Sequence, residues 1–232
     1  MSYQPLKWEL NELVPILKND FIDTVSLFNS INLQEVERFT FDRAIMIINF
    51  LRSKGTTSPA ILDLGASGGV FSFLLNIAMG AHVTALDDDR YISVQNENKE
   101  SSIKNTAVRV KELEFKNFVT IDSSIEEFIL NSPPFPLYDA VLFLNVLHHF
   151  YTGYGQGSDY GKMNDRDLKD MLFKLGRITN KFLFFEVNSY VINDYEKYLT
   201  DLKYTLCFRE FELVGRSTAT DGSTRAIWCF SK

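Results

Sequence analysis

The chain has 232 residues, 45% hydrophobic and 23% charged, with a formal net charge of −6. That length suits one α/β domain with its own core, and that composition excludes a disordered chain. The acidic balance, without a basic cluster, argues against general binding of RNA or DNA, which takes lysines and arginines to displace counterions from phosphates.

In chain order, residues 1 to about 55 are expected to be helical. Leu13, Leu17, Phe21 and Val25 form one apolar row, and Phe41, Ile45 and Ile48, with Ala44, Ile47 and Leu51 beside them, form another. Residues 1–57 are read as a helical cap, too short for a core of their own. The opening "MSYQPLKWEL" lacks a basic stretch followed by an apolar one, and the apolar runs are too short to span a bilayer. A soluble, cytoplasmic protein is therefore expected, with no membrane partner.

After the linker "KGTTSP", strands and helices alternate over 58–232. "AILDL" reads as a buried strand, Gly69 to Met79 as a helix stopped by Gly80, and "HVTALD" as a second strand. Residues 90–105 read as a polar, exposed helix, "NFVTID" as a third strand, and "SSIEEFIL" as a short helix ended by Pro133 and Pro134. "YDAVLFLNVL" reads as a long strand. "NDRDLKDMLFKLGRI" reads as a helix capped by Asn164 or Asp165. "KFLFFEV" is a fifth strand, "INDYEKYLTDL" a helix, and the chain closes on two strands joined by a turn with Asp-Gly. Cys207 and Cys229 fall in strand-like text and are expected to be reduced core residues. Near-continuous apolar strands alternating with helices predict a doubly wound, mostly parallel α/β sheet.

The turn after the first strand carries the chemistry. Glycines there permit a left-handed backbone and close approach of a ligand, and the helix N-terminus adds a partial positive charge. The dinucleotide pattern fails from Gly65, because Ser67 and Val70 stand where glycines belong, and no Lys-Ser or Lys-Thr follows to make a P-loop. What matches is D-x-G-x-G-x-G with one substitution: Asp63, Leu64, Gly65, Ala66, Ser67, Gly68 and Gly69.

With the segments that follow it, the chain from about Ser58 onward resembles the class I S-adenosylmethionine (SAM)-dependent methyltransferases, with a Rossmann-like sheet and an antiparallel last strand. The resemblance implies SAM as cofactor. It implies that Asp63, Gly65, Ala66, Ser67 and Gly69 form the cofactor turn, and that Asp87, beside Asp88, grips the ribose hydroxyls. Asp122 and Ser123 would meet the adenine, and Asn145 to His149 would line the cleft.

Bland readings stand beside these. Asp63 orients the turn, Asp87 to Asp89 are a solvated cluster, or Asp122 caps the helix that follows, with Glu126 completing a capping box. His148 and His149 are candidate general bases; joint metal ligation is not expected, because adjacent side chains diverge and no third ligand is near. Glu186, at the end of the fifth strand, either orients substrate or is a buried, paired carboxylate.

The expected reaction is in-line methyl transfer to an oxygen or nitrogen of a small molecule or glycan, the loop Tyr151–Asn164 helping to recognise the acceptor. A non-catalytic SAM-binding scaffold, and a methyltransferase acting on protein or RNA, are the alternatives.

Overall fold

The computed structural model describes residues 38–90, 102–154, 159–186, 194–218, 222 and 224–232. The apolar row from Leu13 to Val25 lies outside them, as do residues 91–101 of the helix expected over 90–105. In order, the described elements are α1 (Arg38–Ser53), β1 (Ala60–Leu64), α2 (Val70–Met79), β2 (His82–Asp87), α3 (Ser102–Glu112), β3 (Phe118–Asp122) and α4 (Ile125–Asn131). Then come β4 (Tyr138–Leu144), α5 (Leu147–Thr152), α6 (Asp165–Ile178), β5 (Thr179–Glu186), α7 (Tyr195–Thr205), β6 (Glu210–Thr218) and β7 (Thr224–Ser231).

The strands form one sheet in the order β3-β2-β1-β4-β5-β7-β6. The first five run parallel, β7 pairs antiparallel with β5, and β6 antiparallel with β7. Successive strand residues face opposite sides, and this sorts the core into two layers. Ile61, Ala140, Leu142 and Phe184 face α1, α2 and α3; Leu62, Val141, Phe143 and Phe185 face α4, α6 and α7. Both faces are covered, which is why the strands read as unbroken apolar runs.

The second apolar row of the N-terminal region is the buried face of α1: Phe41, Ala44, Ile47, Ile48 and Leu51 are almost wholly inaccessible. This helix packs on α2 and β6, and a Cβ on Gly215 would stand 2.6 Å from Met46 Sδ. α1 ends where Gly55 takes φ 69 and the N–H groups of Gly55 and Thr56 donate to the carbonyls of Arg52 and Leu51, a Schellman pair.

Local expectations needed correcting in three places. The fourth strand stops at Leu144 instead of running to Leu147, because Asn145 turns left-handed (φ 56) and donates its N–H to Glu186 O. The cap of α4 is Ser124, whose hydroxyl accepts from Glu127 N, while Glu126 pairs with Arg90; Asp122 does not cap. Cys229 is buried in β7, but Cys207 is exposed at the end of α7. There its positive φ of 57 lets Cys207 and Phe208 donate to the carbonyls of Tyr204 and Lys203, closing the helix in place of a glycine.

Candidate active site

Parallel pairing sets the ends of the central strands along one edge. Leu64 lies opposite Leu86 and Phe143, Asp87 opposite Asp122, and Leu144 opposite Glu186. β7 runs the other way, so its first residues reach that same edge. In open parallel sheets this edge is where ligands bind. It holds a cavity of about 430 Å³, within the range of roughly 300–1,000 Å³ usual for small-molecule sites.

One wall is the turn after β1 and the end of β2. Gly65 takes φ 75, and a Cβ there would stand 2.8 Å from Val146 Cγ2, so only glycine fits beside the neighbouring loop. Ser67 holds φ 48, the strained region where the pattern usually has glycine. The turn presents little free N–H. Gly65 and Ala66 donate to Leu86 O, Gly69 donates to Ala66 O, and Ser67 donates to Asp87 Oδ2 at 2.8 Å. The turn is therefore not a nest of free donors; Gly65 and Ser67 line the cavity.

Asp87 receives a second amide, Asp89 N to Oδ1 at 2.7 Å. Each carboxylate oxygen keeps a lone pair for a further donor. Burial raises the Asp87 pKa, and the neighbouring acids Asp89 and Asp88 add to the rise. Asp88 also lines the cavity and is held by Arg90, whose Nε lies 2.5 Å from Oδ2.

Five expected cofactor residues stand back from the cavity. Asp63 is buried beneath the turn, where it accepts the Ser72 hydroxyl at 2.7 Å and ties β1 to the start of α2. Burial pushes its pKa up to about 6 against the lowering effect of Ser72, and the charge of Asp87 adds to the rise. Ala66 and Gly69 shape the turn from behind; a Cβ on Gly69 would meet Thr106 Cγ2 at 2.9 Å. Asp122 is largely exposed and 3.7 Å from Lys104 Nζ. Ser123 flanks the site through its N–H, which donates to Asp87 O at 3.2 Å.

The opposite wall comes from the β4–α5 junction and β7: Asn145, Val146, His148, His149, Tyr154 and Arg225. The histidine side chains do not diverge as a regular element would make them. They sit at the start of a short helix with ring centroids 3.9 Å apart, and His149 stacks on Tyr154 at 4.4 Å and 12°. Burial depresses both imidazoles. His148 falls to about 4, with the charges of His149 and Arg225 contributing after burial. Its Nδ1 is buried without a hydrogen-bond partner among the described residues. No group of three or more metal-ligating side chains occurs among the described residues.

Of the two readings of Glu186, substrate-orienting or buried and paired, the described geometry is that of the buried, paired carboxylate. It is fully inaccessible, 2.6 Å from Arg43 Nη1 and 3.5 Å from Arg225 Nη1, and does not line the cavity. The tertiary fold pulls it between arginines from α1 and β7.

Sequence reasoning missed Arg225, and within the Tyr151–Asn164 loop it did not single out Tyr154. Tyr154 lies between His149 and Arg90, whose guanidinium carbon is 5.1 Å from the ring centroid. Residues 155–158 of that loop lie outside the described residues. Arg225 had one signal: it falls in phase with the buried Ile227 and Cys229 of β7, a charge on an inward face.

No family model matches the chain, and neither does any curated protein. Solved structures do. The bifunctional kinase-methyltransferase WbdD aligns at TM-score 0.57 and 21% identity over 82% of this chain. This chain spans only 39% of the WbdD chain. Magnesium protoporphyrin IX methyltransferase (ChlM) from Synechocystis PCC 6803, solved with bound SAM, aligns at TM-score 0.58 and 14% identity, covering 94% of this chain and 88% of that one. An RNA methyltransferase candidate from Pyrococcus horikoshii aligns at TM-score 0.52 and 18% identity, over 82% and 83% of the two chains. The chain has the class I SAM-dependent methyltransferase fold.

Proposed function

We propose that this protein is a SAM-dependent methyltransferase acting on an oxygen or nitrogen of a small molecule or glycan. The observation that carries the reading is the cavity itself. It is bounded on one side by Gly65, Ser67 and the Asp87 carboxylate, and on the other by His148, His149 and Asn145.

The residues present fit an adenosyl sulfonium. Asp87 keeps an acceptor site on each oxygen for the two hydroxyls of a sugar, and the three consecutive aspartates favour a cation. Gly65 lines the cavity without a side chain of its own, and its missing Cβ lets Val146 close up against the turn. Asp88, steadied by Arg90, completes that wall. Of the five residues set back from the cavity, Asp63, Ala66 and Gly69 act by shaping the turn, and Ser123 by bracing the end of β2.

When bound, SAM supplies an already activated methyl group, so the chain's task is alignment and exclusion of water. His148 and His149 are neutral at physiological pH, the form that can accept a proton or hydrogen bond from an acceptor hydroxyl or amine. A pKa near 4 makes His148 a weak base, better suited to orient the acceptor than to strip it of a proton in advance. Tyr154 closes the side of the cavity over His149.

The test is calorimetric titration with SAM and S-adenosylhomocysteine, followed by methyl uptake from labelled SAM across acceptor panels. Ligand at a hundredfold its Kd adds about 2.7 kcal/mol to stability. His148→Gln should lower kcat at least tenfold with S-adenosylhomocysteine affinity kept. Absence of binding to the wild-type protein would overturn the reading.

A further inference from the structure

Two unpartnered polar groups belong to residues that line the cavity. They are Arg225 Nε and His148 Nδ1, both buried and without a hydrogen-bond partner among the described residues. Buried polar atoms in native folds are nearly always satisfied, by protein, by ordered water or by a ligand, and of the unpartnered atoms these two lie on residues of the cavity wall, where a ligand can reach them.

The guanidinium is held from behind. Its Nη1 is 3.2 Å from Asn145 Oδ1 and 3.5 Å from Glu186 Oε1, while Glu186 itself lies closer to Arg43, at 2.6 Å. Asn145 is in turn fixed by its N–H bond to Glu186 O. With Nη1 engaged, the remaining Nε–Nη2 edge offers two parallel N–H donors, the geometry that matches two oxygens of a carboxylate or phosphate. Arg225 shares the cavity with three aspartates at its far side, on a strand separated from β2 by four strand spacings, roughly 19 Å at the backbone. The cavity is therefore polarised, acidic at the end of β2 and basic at the start of β7.

We propose that Arg225 anchors a carboxylate or phosphate carried by the methyl acceptor, which makes the substrate class an acidic small molecule or acidic sugar. This rests on the methyltransferase reading for the word acceptor, and on Arg225 alone for the anion. An acidic substrate docked on Arg225 lies beside His148 and across the cavity from the cofactor's sugar. The other source of the same chemistry is the carboxylate of the cofactor's amino-acid part.

The test compares wild type with Arg225→Met, which removes the charge, and Arg225→Lys, which keeps the charge without the fork. Phenyl phosphate and benzoate are titrated with and without saturating S-adenosylhomocysteine, and binding is read by thermal shift and calorimetry. Cofactor binding is read with S-adenosylhomocysteine and with methylthioadenosine, which lacks the amino-acid part. Saturable oxyanion binding by the wild type, at least tenfold weaker in Arg225→Met and intermediate in Arg225→Lys, supports the proposal when both adenosyl ligands keep their affinities. Loss of S-adenosylhomocysteine affinity with methylthioadenosine spared would assign Arg225 to the cofactor and overturn it. So would oxyanion binding that is absent in the wild type or equal in all three proteins. A wild type that binds no S-adenosylhomocysteine defeats the methyltransferase reading, while the titration without it still decides whether Arg225 is an oxyanion anchor.

Discussion

The backbone N–H of Ser67 donates to Asp87 Oδ2 at 2.8 Å, so the carboxylate ending β2 also straps down the glycine turn that follows β1. Asp87 thus has a structural task, holding the Ser67 and Asp89 amides, alongside the proposed one of receiving sugar hydroxyls. Asp87→Ala should lower stability by about 1–2 kcal/mol through the lost acceptor and weaken S-adenosylhomocysteine at least tenfold. Thermal melts and calorimetry on one preparation check both; a fall in Tm with affinity intact would leave Asp87 only its strap.

The glycines of the turn are not equivalent. Gly65 combines φ 75 with a neighbour 2.8 Å from its missing Cβ, whereas a Cβ on Gly68 would meet nothing within 4 Å. Gly65→Ala should cost about 1–3 kcal/mol and reduce cofactor affinity, while Gly68→Ala stays within ~0.5 kcal/mol of wild type. Urea denaturation of the two variants ranks them, and equal costs would refute the assignment.

Glu186 is fully buried between Arg43 and Arg225, with the shorter contact to Arg43. Removing one partner of a buried pair strands the other, so Arg43→Met should destabilise by about 3 kcal/mol or more. The double variant Arg43→Met/Glu186→Leu should recover much of that, because the uncompensated carboxylate is gone too. A cost below ~1 kcal/mol for the single variant would show that Arg225 alone suffices for Glu186.

Asp63 binds its proton more tightly folded than unfolded, at about 6 against 3.8. Between those values the folded state holds more protons, so rising pH through this window removes stability, by roughly 2–3 kcal/mol in all. Asp63→Asn keeps an acceptor for Ser72 and has no such titration. The stability difference between variant and wild type should therefore shift in favour of the variant from pH 4 to pH 7, as chemical denaturation at several pH values would show. A difference independent of pH would contradict it.

Local chemistry made much of the fold legible in advance. The apolar run Ala60–Leu64, the stop at Gly80 and the Asn164 cap each depend on a few neighbouring residues, and each appears where the text placed it. The row Phe41 to Leu51 showed the buried face of α1 because helical period is a property of the chain itself. Cys207 was misplaced because a cysteine gives no sign of a left-handed backbone, and Asn145 because its asparagine, a residue type that tolerates that conformation, sits inside an unbroken apolar run.

The α/β alternation and the location of the glycine turn are properties of the linear chain, since both follow from periodicity and backbone freedom over short spans. What faces the cavity follows from long-range packing. Antiparallel pairing of β7 with β5 brings Arg225 to the edge where Asp87 ends β2, and packing of α1 buries Glu186 behind it. Those relationships join residues more than a hundred positions apart, and they are set by which strands pair across the sheet and in what register, which local periodicity does not specify.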